Sequence, residues 1–161
     1  MPDARVEPLG KRLGYKKLFR VGKDVDILEG PAKAKGKSII RSGDLEVIAR
    51  GLKQAAVIGL LPKNLYASKR TLDSVRENEK LFFIPLSEVT CSEGVSLDGN
   101  LAKMRKLVRS ILMTKVPFAL ISMAGSSECL MSSLQMIELA AFLGIEPAKA
   151  KESMGKLGEA L

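Results

Sequence analysis

The segment from Gly99 to Pro147 limits the possible folds more than any other part of the chain. Leu101, Met104, Leu107, Val108, Ile111 and Leu112 recur at helical spacing across Gly99–Lys115 and share one face at 100° per residue. Val116-Pro117 stops that pattern, because proline lacks the amide a helix interior needs. Phe118-Ala119-Leu120-Ile121-Ser122 follows as a short apolar run, and Met123–Ser127 as a loop of mostly small residues. Ser132–Phe142 is apolar-periodic again, Gly144 sits where a helix C-cap belongs, and Pro147 opens a last helix. Helix, strand, short loop, helix is a βα-type unit, and such units build parallel sheets through right-handed crossovers.

The same alternation runs through the rest of the chain. Strands are expected at Lys17–Val21, Val25–Leu28, Lys37–Arg41, Val57–Leu61, Leu81–Leu86 and Phe118–Ser122. Short continuous apolar runs of this kind fit strands covered on both faces. Helices are expected at Asp44–Gln54 and Ser68–Asn78 as well, with Asp44 and Ser68 in N-cap positions. The reading is an α/β fold: a single domain over residues 1–161, a trimmed or incomplete TIM-like (βα) barrel with parallel strands and outer helices. A full eight-unit barrel usually takes about 250 residues. Residues 1–36 are the basic part least tied to this pattern, and Gly30–Gly36 is a low-complexity loop.

Composition narrows the chemistry. Net charge is +8, which favours a polyanionic partner, RNA first. Residues 1–54 hold 13 Lys and Arg against 7 Asp and Glu, whereas residues 118–161 hold 3 against 5. There is no histidine, which removes His-based acid–base catalysis, His-ligated zinc and the Ser-His triad. Two cysteines, Cys91 and Cys129, are too few for a disulfide framework and read as buried, inert thiols in a reducing compartment. No leader is expected, because Asp3, Arg5 and Glu7 interrupt the place of an apolar core. The longest apolar run, Ala55–Leu61, is far below the ~20 residues that span a bilayer.

Few constellations remain. Lys103, Arg105, Lys106 and Arg109 fall opposite the apolar face of Gly99–Lys115, with no acid in that segment to balance them. They read either as a solvated face or as a phosphate-contacting stripe. Arg41 lies at a strand end ahead of Asp44, placed to meet an anion or to pair with that cap. Lys63, Lys69 and Arg70 join Arg41 and the stripe as the expected RNA-binding set. Met123–Ser127 has the form of a phosphate cradle, or of an ordinary βα turn. Asp24 and Asp26 fit a solvated loop far better than a Mg²⁺ site. Phe82, Phe83 and Phe118 sit in strand-like runs and are expected in the core. No catalytic residue and no metal ligand set is assigned.

From about residue 37 the ordered segments resemble a known family. Ser42-Gly43-Asp44-Leu45-Glu46-Val47-Ile48, Val57-Ile58-Gly59-Leu60-Leu61-Pro62, Leu72-Asp73, and Leu81-Phe82-Phe83-Ile84-Pro85-Leu86-Ser87-Glu88-Val89 come in its order. The basic helix, Lys115-Val116-Pro117, the strand ending at Ser122, and Leu143-Gly144-Ile145 follow. Together they resemble the TIM-barrel protein subunit of archaeal and eukaryotic ribonuclease P, the component-three family. Leu13-Gly14-Tyr15 matches loosely, and the family's first strand has no counterpart. Met131, Ser133, Leu134 and Gln135 stand where relatives carry Arg, Pro and Arg-Asp, so no basic contact is carried over there. Leu61 and Ser74 replace histidines.

The resemblance implies a non-catalytic subunit that binds and stabilises the catalytic RNA for tRNA 5′-end maturation. The protein itself would bind no cofactor, and Mg²⁺ would sit on the RNA. Partners would be the ribonuclease P RNA, pre-tRNA, and other ribonuclease P proteins, especially the small α/β subunit. That subunit would dock on the acidic, apolar Phe118–Leu161 third, with Met131 and Leu134 in the interface. Localisation would be cytoplasmic, or nuclear in a eukaryote. Two other readings stay open: a small α/β-barrel enzyme acting on a phosphorylated metabolite, and an interaction module whose charge serves solubility.

Overall fold

A computed structural model describes residues 12–13, 21–92, 94–123 and 129–161, except the side chain of Val95. Strands β1 (Asp26–Leu28), β2 (Ser38–Ser42), β3 (Val57–Pro62), β4 (Leu81–Pro85) and β5 (Phe118–Ile121) form one sheet. Helices α1 (Leu45–Leu52) and α2 (Lys69–Glu77) follow β2 and β3. The short α3 (Ser87–Thr90) and the long α4 (Val95–Thr114) follow β4, and α5 (Ser133–Phe142) and α6 (Pro147–Ala160) follow β5. Every neighbouring pair is parallel, and the order across the sheet is the order in the chain. Sequential order has no switch point, so right-handed crossovers keep successive helices on one side. The result is an α/β fold of partial βα-barrel type.

The two faces of the sheet bury different clusters. Ile40, Leu60, Phe82, Ile84 and Leu120 pack outward against Ile48, Leu72, Met104, Leu107 and Ile111 of the helices. Ile39, Ile58, Leu61, Phe83, Ala119 and Ile121 form an inner cluster with Val25. A register shift between Ser38 and Ile39 brings Gly59 opposite Ile39, on the inner side of β3. Gly59 is glycine for a steric reason: a Cβ there would run into the Leu81 carbonyl and come within 2.7 Å of the Phe83 ring. The last helix belongs to both clusters. Ala150 is buried on the outer side, while Leu157, Ala160 and Leu161 pack on the inner one. Lys37, just before β2, donates from Nζ to the Ala160 carbonyl at 3.0 Å.

Local chemistry sets the helix starts. Asp44 accepts from the Glu46 and Val47 amides, and Ser68 from the Thr71 amide. Ser132 and Gln135 form a reciprocal capping box at α5. Gly144, at φ +98°, turns the chain just past that helix. Ser132→Ala is expected to cost about 1 kcal/mol, because the Gln135 amide loses its acceptor while the rest of the helix is kept. Urea melts of the single variant and of Gln135→Ala measure both halves of the box.

Two expectations need adjustment, one short helix is additional, and one expected strand lies mostly outside the described residues. Helix α4 begins at Val95 rather than Gly99, since neither Gly99 nor Asp98 stops a helix packed through later turns. Helix α3, only one turn long, is too short to carry a periodic signal in the sequence. Cys91 and Cys129 are not free thiols: they are joined as a disulfide across 38 residues, with Cα atoms 5.7 Å apart, and Cys91 is exposed. Of the proposed Lys17–Val21 strand, residues 17–20 lie outside the described residues, and Val21 makes an isolated bridge with Val25. Among the described residues no helix is long and apolar enough to cross a membrane.

Candidate nucleic-acid interface

Helix α4 sorts its residues as its periodicity demands. Met104, Leu107, Val108 and Ile111 are buried against the sheet. Lys103, Arg105, Lys106 and Arg109 are all exposed. Among the described residues none of these four cations is ion-paired. Arg105, Lys106 and Arg109 line a groove of about 440 Å³ whose remaining wall is Leu112, Met113, Leu143 and Gly144. The Arg105 guanidinium lies 4.3 Å from the centroid of the Phe142 ring and donates to the Phe142 carbonyl at 3.4 Å. That stacking holds one charge in place beside two lysine- and arginine-tipped arms. Chemically, the groove offers three cationic side chains for phosphate oxygens beside an apolar wall.

The other expected RNA contacts are not all on this surface. Lys63, Lys69 and Arg70 are exposed together around the turn from β3 into α2. Arg41 stands apart. It alternates with Ile40 onto the inner side at the carboxyl end of β2, and its side chain is 37% exposed. It pairs with Glu29 at 3.8 Å and Glu88 at 3.6 Å, and not with Asp44. Two carboxylates already answer its charge, so Arg41 is not part of a free cationic patch.

Met131 and Leu134 also part company. Leu134 is 62% exposed and available to a partner. Met131 is only 6% exposed and packs in the outer core, which corrects its assignment to an interface. It sits one residue before the Ser132 cap, and Met136 stands at the fourth helical position in the same core. Those are the two positions of a hydrophobic staple. The spacing Met-Ser-x-x-Gln-Met carried that signal in the sequence.

Of the Met123–Ser127 loop, only Met123 is described, and its carbonyl accepts from the Ser87 hydroxyl at 3.0 Å. The rest of that proposed phosphate cradle lies outside the described residues. Among the described residues no three His, Cys, Asp or Glu gather where they would hold a metal ion. Phe82, Phe83 and Phe118 are buried, as their strand positions require. Sequence reasoning missed Met113, Leu143 and Gly144 as parts of the groove, and the last two reach it only because the end of α5 lies beside α4. No protein-family model matches the sequence, and no curated protein does.

Proposed function

We propose that the protein is a non-catalytic, RNA-binding barrel subunit of ribonuclease P, acting with the catalytic RNA in tRNA 5′-end maturation. The observation that carries this reading is the groove of Arg105, Lys106 and Arg109, three cations without carboxylate partners among the described residues. Unpaired cations spaced along one helix suit a phosphate backbone, and a net charge of +8 steers such a partner in. The ordered family-like segments supply the specific complex. In it the RNA, with its own Mg²⁺, performs the cleavage, and the protein neutralises and positions phosphates. Exposed Leu134 then belongs to the contact with the small α/β protein. The complex would work in the cytoplasm, or in the nucleus of a eukaryote. The competing enzyme reading leans on the Met123–Ser127 loop, most of which lies outside the described residues, and on Arg41, whose charge Glu29 and Glu88 already match.

The test is a salt titration of binding to ribonuclease P RNA. Each phosphate contact contributes roughly 0.7–0.9 to the slope of log K against log salt. Arg105→Ala, Lys106→Ala and Arg109→Ala together should reduce the slope by roughly two to three units. A flat response in the wild type, or an unchanged slope in the triple variant, contradicts the proposal. Added to that RNA, the protein should raise pre-tRNA cleavage, and alone it should cleave nothing.

A further inference from the structure

The turn from β3 into α2 combines features that the groove on α4 does not explain. It reads Lys63-Asn64-Leu65-Tyr66-Ala67-Ser68 and sits at the carboxyl end of a central strand. Ligands of parallel βα folds bind at that end. Asn64 and Leu65 are both left-handed, at φ 61° and 54°, and neither is glycine. A leucine in that region is sterically disfavoured and persists only where its surroundings hold it. Here the Leu65 side chain is buried in the outer core. The buried leucine anchors a tight reversal, and the next residue is thrown outward. Tyr66 is 73% exposed.

An exposed tyrosine alone is unremarkable, but its neighbours are not. Phe82, Phe83 and Phe118 are buried, and one face of Phe142 is taken by Arg105. Tyr66 has no cation on its ring and no hydrogen bond on its hydroxyl among the described residues. Lys63 precedes it, and Lys69 and Arg70 occupy the first turn of α2, which contains no acid. A helix N-terminus is itself the positive end of the macrodipole, so two cations there oppose helix stability. A bound anion would relieve that opposition.

We infer that this turn is a stacking site for an unpaired nucleobase, with Tyr66 as the platform and Lys63, Lys69 and Arg70 on the flanking phosphates. The inference rests on the RNA-binding reading above and narrows it: one element of the ligand is single-stranded and is held by its base. The α4 groove takes backbone charge, whereas the β3–α2 turn takes a π-face. A flat ring supplies base stacking without sequence preference, because every base presents the same kind of surface.

Fluorescence anisotropy with labelled oligouridine, an abasic oligomer of equal length and an RNA duplex tests this on the full chain. The wild type should bind oligouridine more tightly than the abasic oligomer. Tyr66→Ala should lower oligouridine affinity on the order of ten-fold and leave the abasic and duplex affinities unchanged. Tyr66→Phe, which keeps the ring, should bind like the wild type. Because the ring is exposed, all variants should melt with the wild type. Equal loss on the abasic oligomer, no loss in Tyr66→Ala, or equal loss in Tyr66→Phe would overturn the site. So would a wild type that binds no oligouridine. The Arg105, Lys106 and Arg109 triple variant separates the two ideas. If it leaves structured-RNA binding intact, the groove reading fails, while the base-dependent difference still reports on Tyr66.

Discussion

Phe83→Ala is expected to destabilise the protein by about 3–5 kcal/mol, the largest effect of any single truncation considered. The ring is fully buried in the inner cluster that also holds Ile39, Leu61, Ala119 and Ile121. Its edge lies over Gly59, where no side chain is present to move into the space. The cavity would therefore stay open, which puts the cost at the upper end of the range for such changes. Gly59→Ala probes the same contact from the other side and should cost about 1–3 kcal/mol through overpacking. The double variant should not be additive, because removing the ring leaves the Leu81 carbonyl as the remaining obstacle. Denaturant melts of the three variants decide the matter. A loss below about 1 kcal/mol for Phe83→Ala would mean that the inner face is not a packed core.

Leu107→Ala should cost about 2–5 kcal/mol, while Arg109→Ala, two residues on, should change stability by less than about 0.5 kcal/mol. The contrast follows from one helix. Leu107 is buried against Met104 and Ile111 in the outer core, whereas Arg109 is exposed on the groove. For RNA affinity the ranking should reverse once folded protein is compared with folded protein. Paired melts and salt titrations check both halves. Equal stability losses would show that the two faces of α4 are not divided as described.

That division was legible in the sequence because a 20-residue helix samples its faces many times over. The strands were legible for a related reason: runs such as Val57–Pro62 are apolar at every position, and only a sheet covered on both sides needs that. What failed was information carried by a single residue. Met131 and Leu134 are both apolar and close in sequence, and only the helix start between them decides that one is core and the other surface. The partners of Arg41, Glu29 and Glu88, approach it from two other parts of the chain, which no local pattern shows. The pairing of Cys91 with Cys129 is hidden for the same reason. Tyr66 was visible as a tyrosine, but its exposure follows from two left-handed residues before it, which no composition rule anticipates.

Helix α6 has a consequence for the order in which the molecule can form. Each strand pairs with the one made just before it, so the sheet can grow in step with synthesis, from β1 to β5. Its outward face is covered as it grows, because each helix arrives with its own strand. Among the described residues the inward face has no such escort. Part of its cover, Leu157, Ala160 and Leu161, follows all five strands, and the bond from Lys37 to Ala160 joins residues 123 positions apart. A nascent chain therefore carries Ile39, Leu61 and Phe83 uncovered by α6 until that helix emerges. During that interval the half-built sheet is a target for chaperones and for other copies of itself.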